Sequence, residues 1–145
     1  MRKFQVRESI LSLKEPKKRC MQHQTITREN IRIMVDRFYS AVLKDEVLAD
    51  FFIERLGDEM ISDEWQSHLN TLTDFWASIV LGDTAYSGQP VKPHMHMDGL
   101  QRETFEQWLK LFFKTVERLY SEETADIFKS KSQMIANNFM RLLNL

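Results

Sequence analysis

Ser62-Asp63-Glu64-Trp65-Gln66-Ser67-His68-Leu69-Asn70-Thr71-Leu72-Thr73-Asp74-Phe75-Trp76-Ala77-Ser78-Ile79-Val80-Leu81-Gly82 is the stretch on which the fold turns. Trp65, His68, Leu69, Leu72, Phe75, Trp76, Ile79 and Val80 recur at the spacing of one helical face. Ser62 is a good N-cap, and Asp63 and Glu64 suit the positive end of a helix. Leu81-Gly82 closes it. His68 falls inside the apolar stripe, three residues after Trp65 and four before Leu72. It reads either as a core histidine bonded to a backbone carbonyl or as an imidazole lining a pocket.

Upstream, a helix is expected from Thr27, again a good N-cap, to about Lys44. Its apolar face is Ile31, Met34, Val35, Phe38 and Val42, with Tyr39 on the same side. Tyr39 is either ordinary core with its hydroxyl satisfied or a donor pointing into a cavity. A short helix follows Asp45, with Leu48, Phe51 and Phe52 as its apolar contacts and Gly57 as its end.

Downstream, the loop from Asp83 to Pro93 is the least helical part of the globular region. Two of the four glycines (Gly82, Gly88) and two of the three prolines (Pro90, Pro93) fall between residues 82 and 93. That loop delivers His94, in Pro90-Val91-Lys92-Pro93-His94-Met95-His96-Met97. His94 has only Lys92 as a nearby charge and methionine after it, so it is not dressed for solvent. It reads as a junction-filling histidine or as a metal ligand, neutral imidazole being the commonest protein ligand for iron, zinc and copper. The company of His68 and Trp108 tilts the reading toward a ligand. A long helix spans about Gln101 to Tyr120, with Phe105, Trp108, Leu109, Phe112, Val116 and Leu119 on one face. Ser121 caps a last helix, Glu122 and Glu123 suit its first turn, and Phe128, Ile135, Phe139, Leu142 and Leu143 form its core side. The sum is an all-α chain of about five helices without internal repeats.

Composition agrees. The 145 residues hold 43% hydrophobic and 28% charged residues, with only 4 glycines and 3 prolines, as expected of one helical domain with a real core. A net charge of −1 gives no global pull toward nucleic acid or membrane. No apolar run approaches the roughly 18 residues a membrane span needs. The single cysteine, Cys20, excludes an internal disulfide framework and fits a reducing cytoplasm. With His23 it forms only C-x-x-H, so the covalent haem motif is absent. Residues 1–24 stand apart: seven Lys or Arg against Glu8 and Glu15 give +5, leaving −6 for the rest. They are read as a loosely ordered basic extension of a domain at 25–145, or as an over-long start with Met21 as initiator. An arm touching an anionic surface is the alternative.

Phe 10, Trp 3 and Tyr 3 make an unusually aromatic chain, and the aromatics surround two inward histidines from different elements. A flat apolar iron macrocycle needs such walls, one fixed imidazole below the metal and polar groups above. Structural zinc is a weaker reading, since no C-x-x-C or H-E-x-x-H occurs. Serine or cysteine triad catalysis is weaker still, without a G-x-S-x-G elbow.

Phe38-Tyr39, Leu48 through Phe52, Trp65-x-x-His68, Phe75-Trp76, Leu81-Gly82, Tyr86-x-Gly88-x-Pro90, His94 and Trp108-Leu109-Lys110-Leu111-Phe112 stand in an order and spacing that resembles the group III truncated haemoglobins. The resemblance covers the 121 residues from Thr25 to the C-terminus and leaves the basic extension outside the family's pattern. It implies a two-over-two helical globin sandwich holding non-covalent haem b. It places His94 as the proximal iron ligand, His96 being its nearby competitor. It sets Phe52 against the haem, Leu72, Trp76 and Phe105 in the haem wall, and Tyr39, His68 and Trp108 around the distal ligand. The implied ligands are O2, NO and CO, with a reductase as the implied protein partner and no nucleic acid. Three donors imply slow ligand release, which disfavours bulk oxygen transport. An NO dioxygenase or peroxidase-like enzyme on the same scaffold is the alternative, with His68 as its one candidate distal base. A haem-free helical interaction module is the remaining reading.

Overall fold

Local capping chemistry sets the helices in place. In this computed structural model, which describes residues 22–86, 88 and 97–145, α1 spans Arg28–Val42. Thr27 is extended, its hydroxyl accepts the Asn30 N–H at 3.1 Å, and Asn30 Oδ1 accepts the Thr27 N–H at 3.0 Å. This reciprocal pair satisfies two of the amides a helix start leaves orphaned. α2 spans Ala49–Leu56 and stops at Gly57, whose φ of 82° belongs to the left-handed region that favours glycine. α3 is Asp63–Leu81, capped by the Ser62 side chain on the Trp65 N–H and ended by a left-handed Gly82. α4 is Arg102–Leu119 and α5 is Glu122–Leu142, the latter capped by the Ser121 side chain.

α1 packs on α3, α4 packs on α5, and the two pairs meet through α1 on α4 and α3 on α5. Every described element is helical, apart from one isolated bridge between His23 and Tyr120. The main core joins Ile31, Met34, Val35, Phe38 and Val42 of α1 to Trp65 and Leu69 of α3, Phe112 and Val116 of α4 and Phe128 of α5. A second cluster, Phe105, Leu109, Ala136, Phe139 and Met140, lies between α4 and α5. One expected core residue is misplaced: Leu142 is 48% exposed, while Ala125, Ser132, Ala136 and Met140 carry the buried stripe with Phe128 and Phe139. Small side chains let α5 lie close to its neighbours, and Leu142 falls at the edge of that stripe in the last turn. No described helix is long and apolar enough to cross a membrane.

Residues 22–24, read from sequence as the end of the extension, lie along the corner between α4 and α5. The His23 N–H donates to Leu119 O at 2.9 Å and the Ser121 N–H donates to His23 O at 2.8 Å. The Thr124 hydroxyl donates to Gln24 O at 2.8 Å, and Gln22 Nε2 donates to Glu117 O at 2.8 Å. Cys20, Met21 and the rest of the basic segment lie outside the described residues.

Candidate functional site

All five helices contribute to a cavity of about 610 Å³. Tyr39 comes from α1, Phe52 from α2, His68, Leu72 and Trp76 from α3, and Phe105 and Trp108 from α4. Every site residue expected from sequence that the structure describes therefore lines one space. His94, the expected iron ligand, and its competitor His96 lie outside the described residues.

Tyr39 occupies the centre of an aromatic cluster. It is 6% exposed, and its ring meets Phe52 at 5.3 Å and His68 at 5.2 Å between centroids, both edge-on. Burial pushes its phenol pKa well above the usual value, and a hydrogen bond from the Trp108 indole partly opposes that shift. Tyr39 is therefore neutral at physiological pH. Since an indole N–H can only donate, it occupies the phenol oxygen and leaves the phenol proton to be given elsewhere.

Trp108 owes its orientation to stacking. It lies flat on Phe112 at 5.3 Å and 2°, and Phe112 lies flat on Trp76 at 5.0 Å and 11°. Phe38 closes the side of this three-ring stack, edge-on to Trp108 at 5.5 Å. His68 stands edge-on to Trp65 at 5.5 Å as well as to Tyr39, and its Nε2 is shielded from solvent. Two donors and one amphoteric ring thus converge beside aromatic and aliphatic walls, where a hydrogen bond is stronger than in water.

Sequence reasoning missed part of the wall. Phe139 and Ile135 of α5, read as plain core, line the cavity, as do the polar residues Arg55, Thr71, Tyr86 and Thr104. Arg55 and Thr71 are solvent-exposed, so they mark its open side. Arg55 sits one helical turn after Phe52 and Thr71 one turn after His68, a spacing that could have pointed to them. Trp65, expected on the apolar stripe, is buried as expected and backs the site. It is 0% exposed, touches Tyr39, Phe52 and His68, and donates its Nε1–H to Gly57 O at 2.8 Å. Among the described residues, no three His, Cys, Asp or Glu side chains gather as a metal site.

Two stacked helix pairs around a flat-walled aromatic cavity define a small all-helical protein with room for a planar cofactor. No family model matches the chain. It is 36% identical over 123 residues to the group 3 truncated haemoglobin of Campylobacter jejuni, a match covering 85% of this chain and 95% of that protein. The crystal structure of group III truncated haemoglobin from Campylobacter jejuni shares its fold with a TM-score of 0.78 at 37% identity, over 85% of this chain and 95% of that one. The chain belongs to the group III truncated haemoglobins, and its fold is the two-over-two helical sandwich expected from its sequence.

Proposed function

We propose that the protein holds haem b in this cavity, with His94 as the proximal ligand, and binds O2, NO and CO on the side of Tyr39, Trp108 and His68. Family membership supports the haem and a globin-type ligand role. The observation that carries the finer reading is the convergence of the Tyr39 hydroxyl, the Trp108 indole and the His68 ring on one space walled by Phe52, Leu72, Trp76 and Phe105. Haem, when bound, supplies an iron centre that takes diatomic gases at its open position. The protein's part is to exclude water, to aim the Tyr39 proton at the ligand, and to hold that phenol in place from Trp108. His68, whose ring packs edge-on against Tyr39, is assigned control of ligand access. Arg55, at the open side, would serve the carboxylate arms of the macrocycle.

Absorption spectra of the purified protein in the ferric, ferrous and CO-bound states test the reading. A Soret band that shifts with each state is expected, and its absence after haem addition would leave a helical module without haem. His94→Ala should abolish stable haem retention while His96→Ala leaves the spectra nearly intact. The reverse result would move the ligand to His96.

A further inference from the structure

We propose that α2 is a hinged cover over the cavity, opening as one unit and held shut by a side-chain latch at each end: Gln107 on Asp45 at its start and Trp65 on Gly57 at its end. The inference rests on the haem reading for what passes beneath the cover, but not for the latches themselves.

α2 has eight residues, Ala49–Leu56, which is too short to be stable in isolation. Among the described residues, the substantial helix contacts join α1, α3, α4 and α5 to one another, with α2 outside that set. Yet Leu48, Phe51, Phe52, Arg55 and Leu56 form one whole wall of the cavity. The ties at its two ends add to the packing of Phe52 and Leu56 on the main core in setting its position.

At the N-terminal end, Asp45 does two things at once. Oδ2 accepts the N–H groups of Val47 and Leu48, each at 3.0 Å, which fixes the turn that starts the helix. Oδ1 accepts Gln107 Nε2 at 2.6 Å, from the residue next to Trp108 on α4. At the C-terminal end, Trp65 Nε1 donates at 2.8 Å to the carbonyl of Gly57, the residue whose positive φ stops the helix. The same indole lies beside Phe52, with centroids 6.2 Å apart and planes within 28°. The two latches come from two different helices, α4 and α3. Between them Phe52 and Leu56 pack against the main core, and Arg55 lines the open side of the cavity. Lifting it requires both bonds to break, and lifting it removes Phe52 from Tyr39 and His68 together.

Hydrogen exchange of the full-length protein, read amide by amide, tests this. Trp65→Phe removes the indole donor and keeps a ring, and Gln107→Leu removes the amide and keeps the volume. Each should speed exchange across all of residues 49–56 by about tenfold, the effect of losing one ordinary hydrogen bond on a local opening equilibrium. The two together should give about a hundredfold, because one opening breaks both. Asp45→Ala, which also removes the turn, should exceed Gln107→Leu. Release of haem to excess haem-free myoglobin should accelerate in the same order. If Trp65→Phe affects only the last amides of α2 and Gln107→Leu only the first, the ends fray separately and there is no cover. Equal acceleration in α1, α4 and α5 would also overturn the proposal, as general destabilisation. Faster exchange with unchanged haem release would overturn its role as the route out of the cavity. A protein that takes up no haem would sink the functional reading while the exchange pattern still judged the latches.

Discussion

Replacing Tyr39 by phenylalanine removes one hydroxyl from the middle of the cavity and little else, since the ring contacts with Phe52, Trp65 and His68 are retained. The phenol proton is the group free to donate, because its oxygen is already served by the Trp108 indole. A ligand that draws negative charge on binding, as O2 does, gains a charge-assisted hydrogen bond from it, worth roughly 1.5–3 kcal/mol. Tyr39→Phe should therefore speed O2 dissociation by about 10- to 100-fold. CO carries less negative charge, so its dissociation should change little. Trp108→Phe should act in the same direction, because it removes the indole N–H that holds the phenol. The two side chains are bonded to each other, so the double variant should be less impaired than the product of the single effects. Stopped-flow replacement of O2 by CO measures all three. Equal acceleration of O2 and CO release would mean that the cavity has rearranged and that the donor argument is wrong. Fully multiplicative effects would show two independent donors rather than a coupled pair.

On the proposed gate role, His68→Leu should alter association rates more than dissociation rates; O2 release accelerated as much as in Tyr39→Phe would place it among the direct donors. Alkaline stability follows from two phenols: burial raises both Tyr39 and Tyr120 above the ordinary phenol value of 10.0, so the folded state favours their neutral forms. That contribution is complete below pH 10 and is lost as pH rises above it, so the melting temperature should fall above about pH 10, and less steeply in a Tyr39→Phe, Tyr120→Phe double variant. A chain beginning at Met21 keeps the pairing of residues 22–24 with the α4–α5 corner and should lose little stability. One beginning at Thr25 loses the bonds made by His23 and Gln24, about 2–4 kcal/mol, and should melt about 5–15 °C lower; equal melting of the two would show that this strap contributes nothing.

Helix starts and stops were legible in the sequence because capping is local. Thr27, Ser62 and Ser121 each meet an amide three residues ahead, and Gly57 and Gly82 supply positive φ where α2 and α3 end. Which faces turn inward was also legible, from spacing alone, and it put Tyr39, His68 and Trp108 on inward faces. Spacing does not say which inward faces meet. That these three share one cavity came into the sequence reading only through the family resemblance, and in the structure it follows from α1 packing on both α3 and α4. Leu142 shows the limit on the apolar side: hydrophobicity marks a residue as fit for the core, but small residues at Ala125, Ser132 and Ala136 decide which face of α5 lies closest to its neighbours. Trp65 and Gln107 show the limit on the polar side. Trp65 reads as stripe and Gln107 lies outside the apolar face of its helix, and neither indole N–H nor carboxamide reveals its acceptor until chain segments 8 and 62 residues away are brought alongside. Hydrogen-bond partners at such separations are set by the packing of whole helices, which no local pattern encodes.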